Sequence, residues 1–269
     1  MSRPVTLPGA NASGSVSDSP PLRIDGVVRR FGGIIAIDGV TLAMAAGERV
    51  AIIGPNGAGK TTLFRVIAGE MPPSSGGVYF FGRNVTRLPA HRRARLGLAR
   101  TFQVSNLFGA LTVEDNLRLA VQGGDWSRWR FWRSARRDDD IGQRAAMLLE
   151  QSGLAGRRAA RVAELSHGEQ RQLEIAMALS TEPRLLLLDE PAAGLATAER
   201  AHLRAQLRQL PRSIPLLLIE HDMGLAMSLA DRVLCLHNGR TIALGPPAEV
   251  RTNADVQAIY LGRDAESRR

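Results

Sequence analysis

Apolar and polar positions along this chain follow two rhythms, one of short uninterrupted runs and one of helical spacing. From Leu22 to Ile53, short apolar runs are broken by Gly and Asp, as in LRIDGVVRRFGG and AIDGVTLAMAAGERVAIIG, which predicts several strands ending at a glycine-rich turn. A helix over Lys60–Ala68 is expected to follow. Farther on, Thr112 and Asp115 make a T-x-x-D capping pattern that would open a helix running through Ala120. A second helical stretch is expected from about Ile141 to Glu150. From Arg184 the buried-strand rhythm returns in RLLLLDE and PLLLIEHD, separated by the helical AERAHLRAQLRQL. Strand, helix and strand in that order imply parallel pairing. Near the end, VLCLHNGRTIALG reads as a hairpin turned at Asn238 and Gly239. No internal repeat is visible, so one α/β core is expected, with a mainly helical insert over about 104–164.

Composition adds bounds to this outline. With 269 residues, 44% of them hydrophobic and 23% charged, the chain can bury one sizeable core and carry an insert. The first twenty residues are rich in Ser, Pro, Gly and Ala without apolar periodicity, and are expected to form a flexible tail (1–20) rather than a secretory signal. A single domain would then span 21–262, with a short tail at 263–269. The longest apolar runs, Leu185 to Leu188 and Leu216 to Ile219, fall far short of the roughly 18 residues that a membrane helix needs. The lone Cys235 sits in an apolar run and is expected to pack as a small hydrophobe, which fits a reducing compartment. A formal charge of +9 is compatible with nucleic acid, with anionic lipid headgroups, or with solubility alone.

The chemistry starts at GPNGAGKTTL. Gly54, Gly59, Lys60 and Thr61 match GxxxxGK[ST], between a predicted strand and a predicted helix, which is the setting a phosphate-binding loop requires. Backbone N–H groups across Asn56, Gly57, Ala58, Gly59, Lys60, Thr61 and Thr62 would converge on phosphate oxygens, aided by the positive end of the helix. Lys60 would neutralise β and γ oxygens, and Thr61 would ligate Mg²⁺. A second metal-orienting acid is expected at Asp189, the end of LLLLD, where a buried strand delivers a carboxylate to the ligand edge of a sheet. Glu190 beside it would polarise the attacking water, so two adjacent carboxylates take two roles.

The stretch LSHGEQRQLEIAMAL, Leu165 to Leu179, resembles the signature sequence of ATP-binding cassette (ABC) proteins, whose consensus is LSGGQ. Ser166 and Gly168 match it, while His167 and Glu169 depart from it. Ser166 with Glu169 is also a capping box opening an amphipathic helix, and both readings hold together because a helix N-terminus is an anion site. Further matches to the family follow: Phe31 at the spacing of the aromatic that stacks on adenine, Gln103 in RTFQ as the loop glutamine that reaches both metal and active site, and His221 in LLLIEHD as the switch histidine. The implied fold is a RecA-like P-loop NTPase core with an N-terminal antiparallel β subdomain and an inserted α-helical subdomain.

Within that family, FGGIIAIDGVTL, RTFQ, LEIAMAL, DEPAAGL, IEHDM and ADVQAIYLGRD resemble the ATP-binding subunits of importers for branched-chain amino acids, amides or urea. The resemblance implies ATP and Mg²⁺ as ligands, ATP hydrolysis coupled to transmembrane permease subunits, and a peripheral place on the cytoplasmic face of the membrane. It also implies a second cassette lying head to tail, a periplasmic solute-binding protein acting indirectly, and no specific nucleic acid. The cassette of the lipopolysaccharide exporter is similar too, and a soluble ABC ATPase acting on nucleic acid or ribosomes is the alternative from another class, as is a non-hydrolysing regulatory module. Ala196 stands where the family usually has Asp or Asn in a loop facing the opposite subunit, which points to a non-identical partner. The basic insert at about 123–140 holds every Trp of the chain in WSRWRFWRSARR, Trp126 to Arg137, and is expected at the membrane surface or against the permease.

Overall fold

The computed structural model describes residues 19–101, 107–124 and 135–266. Gln103, residues 1–18 of the expected N-terminal tail and the Trp-containing part of the basic run lie outside those residues.

Two sheets are built from the two kinds of strand. The first has the order β2-β1-β4-β5, formed by β1 (Leu22–Phe31), β2 (Ile34–Met44), β4 (Ser75–Phe80) and β5 (Arg83–Asn84), all paired antiparallel. Alternation on β1 turns Leu22 and Ile24 inward, and a register shift at Gly26 keeps Val27 on the same buried side. The second sheet has the order β10-β9-β3-β8-β7-β6, from β3 (Arg49–Ile53), β6 (Leu98–Arg100), β7 (Leu185–Asp189), β8 (Leu216–Ile219), β9 (Arg232–His237) and β10 (Arg240–Gly245). Its strands pair parallel from β9 through β6, as strand–helix alternation implies. Only β10 runs antiparallel, returning from β9 through Asn238 and Gly239, both at positive φ as a tight two-residue turn requires.

The central strands are apolar throughout because both faces of this sheet are covered. Val50, Ile52, Leu185, Leu187, Leu217 and Ile219 join the antiparallel sheet and α1 (Lys60–Ala68) in one core. The alternate residues Ala51, Ile53, Leu186, Leu188, Leu216 and Leu218 pack toward α6 (Thr197–Gln209) and α7 (Met223–Leu229). Cys235 belongs to this second core, and burial pushes its thiol up to about 11, so it packs as a small hydrophobe. A third cluster unites α3 (Val113–Gly124), α4 (Ala135–Gln151) and α5 (His167–Leu179), and draws in Leu165, Leu173 and Ala176 beyond the expected end of the insert at 164.

Several expected boundaries move. α1 occupies the expected Lys60–Ala68, whereas α3 continues past Ala120 to Gly124. α4 opens at Ala135, six residues before Ile141, because its first turns, ARRDDD, are polar and carry no apolar period. The two ends of the expected basic insert, 123–124 and 135–140, are therefore turns of α3 and α4. The arginine-rich stretch from Arg83 to Arg100 holds β5, α2 (Ala90–Ala94) and β6. Arg93 in α2 is fully buried and donates to the carbonyls of Val66 and Ile67 at the end of α1, and to those of Leu88 and Thr86. Burial lowers its pKa to about 10, so it remains a cation capping the negative end of α1. At the end of the chain, α8 (Pro247–Thr252) is followed by α9 (Ala254–Glu266), which runs into the expected tail. Among the described residues, no helix is long and apolar enough to cross a membrane.

Candidate nucleotide-binding site

Strand β3, buried at all five positions, delivers the chain to Gly54 at the carboxyl edge of the parallel sheet. Gly54 has φ 149°, and a Cβ there would lie 2.2 Å from the Leu236 carbonyl oxygen. Gly59 has φ 103°, and a Cβ there would lie 2.4 Å from the Ala36 carbonyl oxygen. Both positions demand glycine by conformation and by space. Gly59 caps α1 with no side-chain acceptor, so the first N–H groups of the helix stay available to an anion. Asn56 and Gly57 are exposed on the loop, Ala58 is buried beneath it, and Thr61 and Thr62 follow in the first turn of the helix. The Lys60 ammonium folds back across the loop and donates to the carbonyls of Gly54 (2.7 Å) and Pro55 (3.0 Å). Ala58 O accepts from Gly239 N (3.0 Å), and Gly239 O accepts from Asp38 N (2.9 Å), which ties the loop to the β1–β2 hairpin. Phe31, the expected adenine-stacking ring, closes that hairpin opposite Ile34 and is 44% exposed.

Parallel register brings the other groups to the same edge. Ile52 and Asp189 both pair with Ile219 across β3, β8 and β7, which places the ends of three neighbouring strands within ~10 Å of one another. Asp189 is buried, and its Oδ1 has no hydrogen-bond partner. Desolvation first, then the Glu190 charge, raises its pKa above the usual aspartate value, against the pull of Arg100, Arg171 and Arg65. Glu190 follows at φ 45°, a left-handed conformation that costs a non-glycine residue roughly 1–2 kcal/mol. Its carboxylate lies 3.8 Å from Nδ1 of His221, which emerges from β8.

Ser166 and Gly168 occupy a different place, the N-terminus of α5. The Ser166 hydroxyl accepts from Glu169 N (3.2 Å) and the Glu169 carboxylate accepts from Ser166 N (2.8 Å), a complete capping box. Gly168 N donates to Glu199 Oε1 (3.2 Å), and Ala196 N donates to the other oxygen of the same carboxylate (3.0 Å). Glu199 thus serves the first turns of α5 and α6 together, and these backbone donors hold its pKa below the usual range. Ala196 itself contributes no side-chain cap to α6.

The family model for the ABC transporter matches residues 37–193, and that for the branched-chain amino acid ATP-binding cassette transporter matches residues 240–266. The chain is 41% identical over 251 residues to the high-affinity branched-chain amino acid transport ATP-binding protein LivG of Salmonella typhimurium, covering 90% of this chain and 98% of that protein. The chain belongs to the ABC transporter family. This cassette is also 39% identical to BraF of Pseudomonas aeruginosa over 253 residues, again 90% of this chain and 98% of the relative, and BraF too is named as a high-affinity branched-chain amino acid transport ATP-binding protein. Among solved structures, the ADP conformation of MJ1267, an ATP-binding cassette of an ABC transporter, is similar with a TM-score of 0.79 and 29% identity, covering 90% of this chain and 99% of that one. A nucleotide-free cassette matches with a TM-score of 0.77 at 29% identity, over 90% and 98% of the two chains.

Two buried charges of the cassette escape a reading of its motifs. Arg171, one turn into α5, donates to the carbonyl oxygens of Asp189 (2.9 Å) and Pro191 (3.2 Å) and pairs with Glu174 at 2.5 Å. It therefore grips the backbone on either side of Glu190, whose own N–H donates to Ile219 O (2.9 Å) and whose carbonyl accepts from Ala193 N (3.0 Å). Its signal was present: Gly168, Arg171 and Ile175 are buried at i, i+3 and i+7 of one helix, so the helical period puts Arg171 on the inner face. Glu220, fully buried at the end of β8, accepts from Ala192 N (3.0 Å) with one oxygen and from His221 N (3.2 Å) and Asp222 N (3.4 Å) with the other. Desolvation raises its pKa, opposed by the Ala192 and Asp222 backbone donors. It joins the loop after Glu190 to the loop bearing His221, and no motif marks it.

Proposed function

We propose that this cassette binds Mg·ATP at the loop over Gly54–Thr62 and hydrolyses it to drive an importer of branched-chain amino acids or related small polar solutes. The observation that carries the reading is the full-length likeness to LivG and BraF together with a site in which every described motif residue has a chemically suitable place. Lys60 would leave its two carbonyls for β and γ oxygens, and the free N–H groups at the start of α1 would orient the phosphates. The unpartnered Oδ1 of Asp189 and the Thr61 hydroxyl are oxygen ligands of the kind that a hard cation takes. Among the described residues no group of three His, Cys, Asp or Glu could hold a metal by itself, which fits an ion shared with the nucleotide's phosphates. Mg²⁺ so held would neutralise charge developing on the γ-phosphoryl. Glu190 would take the proton of the attacking water, with the His221 imidazole beside it to hold the γ-phosphate end of the site.

Ser166 caps α5 and Gly168 stands in its first turn, so neither belongs to the phosphate loop or to the strand end that carries Asp189. We read them as the anion-binding end offered to ATP on a second cassette, so that two chains close on two nucleotides and reopen after hydrolysis. Ala196 favours a non-identical partner. Permease subunits at the cytoplasmic face of the membrane would receive the motion, and a periplasmic binding protein would supply the solute. The test is to purify the transporter through a tag on this chain and measure its ATPase activity with leucine-loaded binding protein. Permease subunits in the complex and a stimulated rate are expected. A chain that purifies without permease and hydrolyses ATP at a rate indifferent to the binding protein would overturn the reading.

A further inference from the structure

The N-terminus of α5, read above as the end offered to a partner's ATP, already carries an anion from this chain. Glu199 stands at the third position of α6, where an acid needs only the N–H of its own cap, and its Oε2 takes that bond from Ala196 N (3.0 Å). Its Oε1 reaches across to α5 and accepts from Gly168 N (3.2 Å). A Cβ on Gly168 would lie 2.6 Å from that oxygen, so the carboxylate rests against the glycine in space that a side chain would fill. The Ser166 hydroxyl bonds the same carboxylate, and the His167 ring acts on it electrostatically. The residues that match the signature thus converge on Glu199.

A phosphate arriving at this helix end needs the donors that Glu199 uses. Gly168 N and the Ser166 hydroxyl each carry a single hydrogen, and a carboxylate left beside a phosphate repels it. Glu199 is partly open to solvent, so its side chain can swing aside. We propose that Glu199 stands in for the phosphate: it fills the signature end of α5 in the lone chain and is displaced when a partner's ATP seats there. It thereby sets the ATP concentration at which two cassettes close. This rests on the reading of Ser166 and Gly168 as that ATP's anion site. When the nucleotide leaves, the carboxylate returns to Gly168 N and Ala196 N together, which favours the open state. Glu199 works through those donors and not on the reacting atoms, so it is a positioning residue.

Steady-state ATP hydrolysis by the assembled transporter, measured across ATP concentration, tests the displacement through two variants. Glu199→Gln keeps the shape but has a single acceptor oxygen, so it cannot serve both N–H groups. Glu199→Asp keeps the charge but is a methylene too short to reach from α6 to Gly168, and it keeps the test available if Glu199→Gln fails to fold. Both variants should lower KM for ATP by about fivefold, the scale of one hydrogen bond, with kcat no higher than the parent's. A residue that only braces α6 against α5 would leave KM unchanged or raise it, and that result would overturn the proposal. So would a fall in KM with Glu199→Gln but not with Glu199→Asp, which would trace the effect to net charge. Ser166→Arg in the same transporter reads the underlying assignment and should abolish hydrolysis. Normal hydrolysis by Ser166→Arg would remove the anion site and this proposal with it, whereas its loss beside unchanged KM in the Glu199 variants would overturn the displacement alone.

Discussion

Replacing Arg171 by Met removes the two hydrogen bonds that its guanidinium gives to the Asp189 and Pro191 carbonyls, and strands Glu174, whose side chain is 9% exposed. Hydrogen bonds from a charged donor contribute about 1.5–3 kcal/mol each, and breaking a buried ion pair by deleting one partner costs about 3–5 kcal/mol in total. Because these are overlapping descriptions of one loss, we expect about 4 kcal/mol, or a fall in Tm of roughly 10 °C for a chain of this size. The functional loss has a separate cause. Without the grip on either side, Glu190 at φ 45° is left to its own backbone hydrogen bonds with Ile219 and Ala193, and a displacement of ~1 Å at a group that takes the water's proton costs on the order of 100-fold in rate. The double variant Arg171→Met/Glu174→Leu separates the two effects. It removes the stranded charge and should return to within about 1.5 kcal/mol of the parent, while hydrolysis remains lost. Thermal melts followed by circular dichroism, with single-turnover ATP hydrolysis, read both. An Arg171→Met variant within about 1 kcal/mol of the parent, or a double variant that regains hydrolysis, would refute the reasoning.

Gly59→Ala places a Cβ 2.4 Å from the Ala36 carbonyl oxygen at φ 103° and should cost about 3 kcal/mol and nucleotide binding; Gly57→Ala meets nothing within 4 Å, so only its φ of 81° counts, at about 1 kcal/mol in a denaturant titration. Asp189 has a folded-state pKa above its unfolded value, so the nucleotide-free protein is most stabilised below the ordinary aspartate range and loses stability as pH rises through the raised value. Asp189→Asn should abolish that decline, raise nucleotide-free stability by about 1 kcal/mol, and remove the Mg²⁺ dependence of ATP binding; an unchanged pH profile of Tm would count against it. Mass spectrometry of the transporter purified through this chain should find a second, different cassette, and finding this chain alone would remove the role assigned to Ala196.

Legibility followed the reach of each signal. α1 was readable to the residue because a strand, a glycine loop and an apolar helical period meet there, and the Asn238–Gly239 hairpin because its turn demands positive φ twice. β7 and β8 were readable as fully buried because both faces of a parallel sheet are covered. Short elements such as α2 and β6 were not, since five and three residues hold no period, and nothing in the pattern around Arg93 shows that α2 folds it under α1. Glu220 was hidden for a related reason: its partners are backbone N–H groups of a loop 28 residues earlier and of its own next residues, and no side-chain pattern records them. The motif residues were readable one by one, and the resemblance, with its second cassette lying head to tail, already implied that they divide between two places. Gly54, Lys60, Asp189, Glu190 and His221 gather at one sheet edge by strand register, while Ser166 and Gly168 go with α5.

The most direct test of the account is steady-state ATP hydrolysis by the assembled transporter carrying Glu190→Gln, measured beside its Mg²⁺-dependent ATP binding. If Glu190 takes the proton of the attacking water, binding stays within about threefold of the parent while hydrolysis falls by about 100-fold or more, the usual contribution of a general base. Near-normal hydrolysis in that variant would contradict the assignment of the base, and with it the mechanism built on this strand edge.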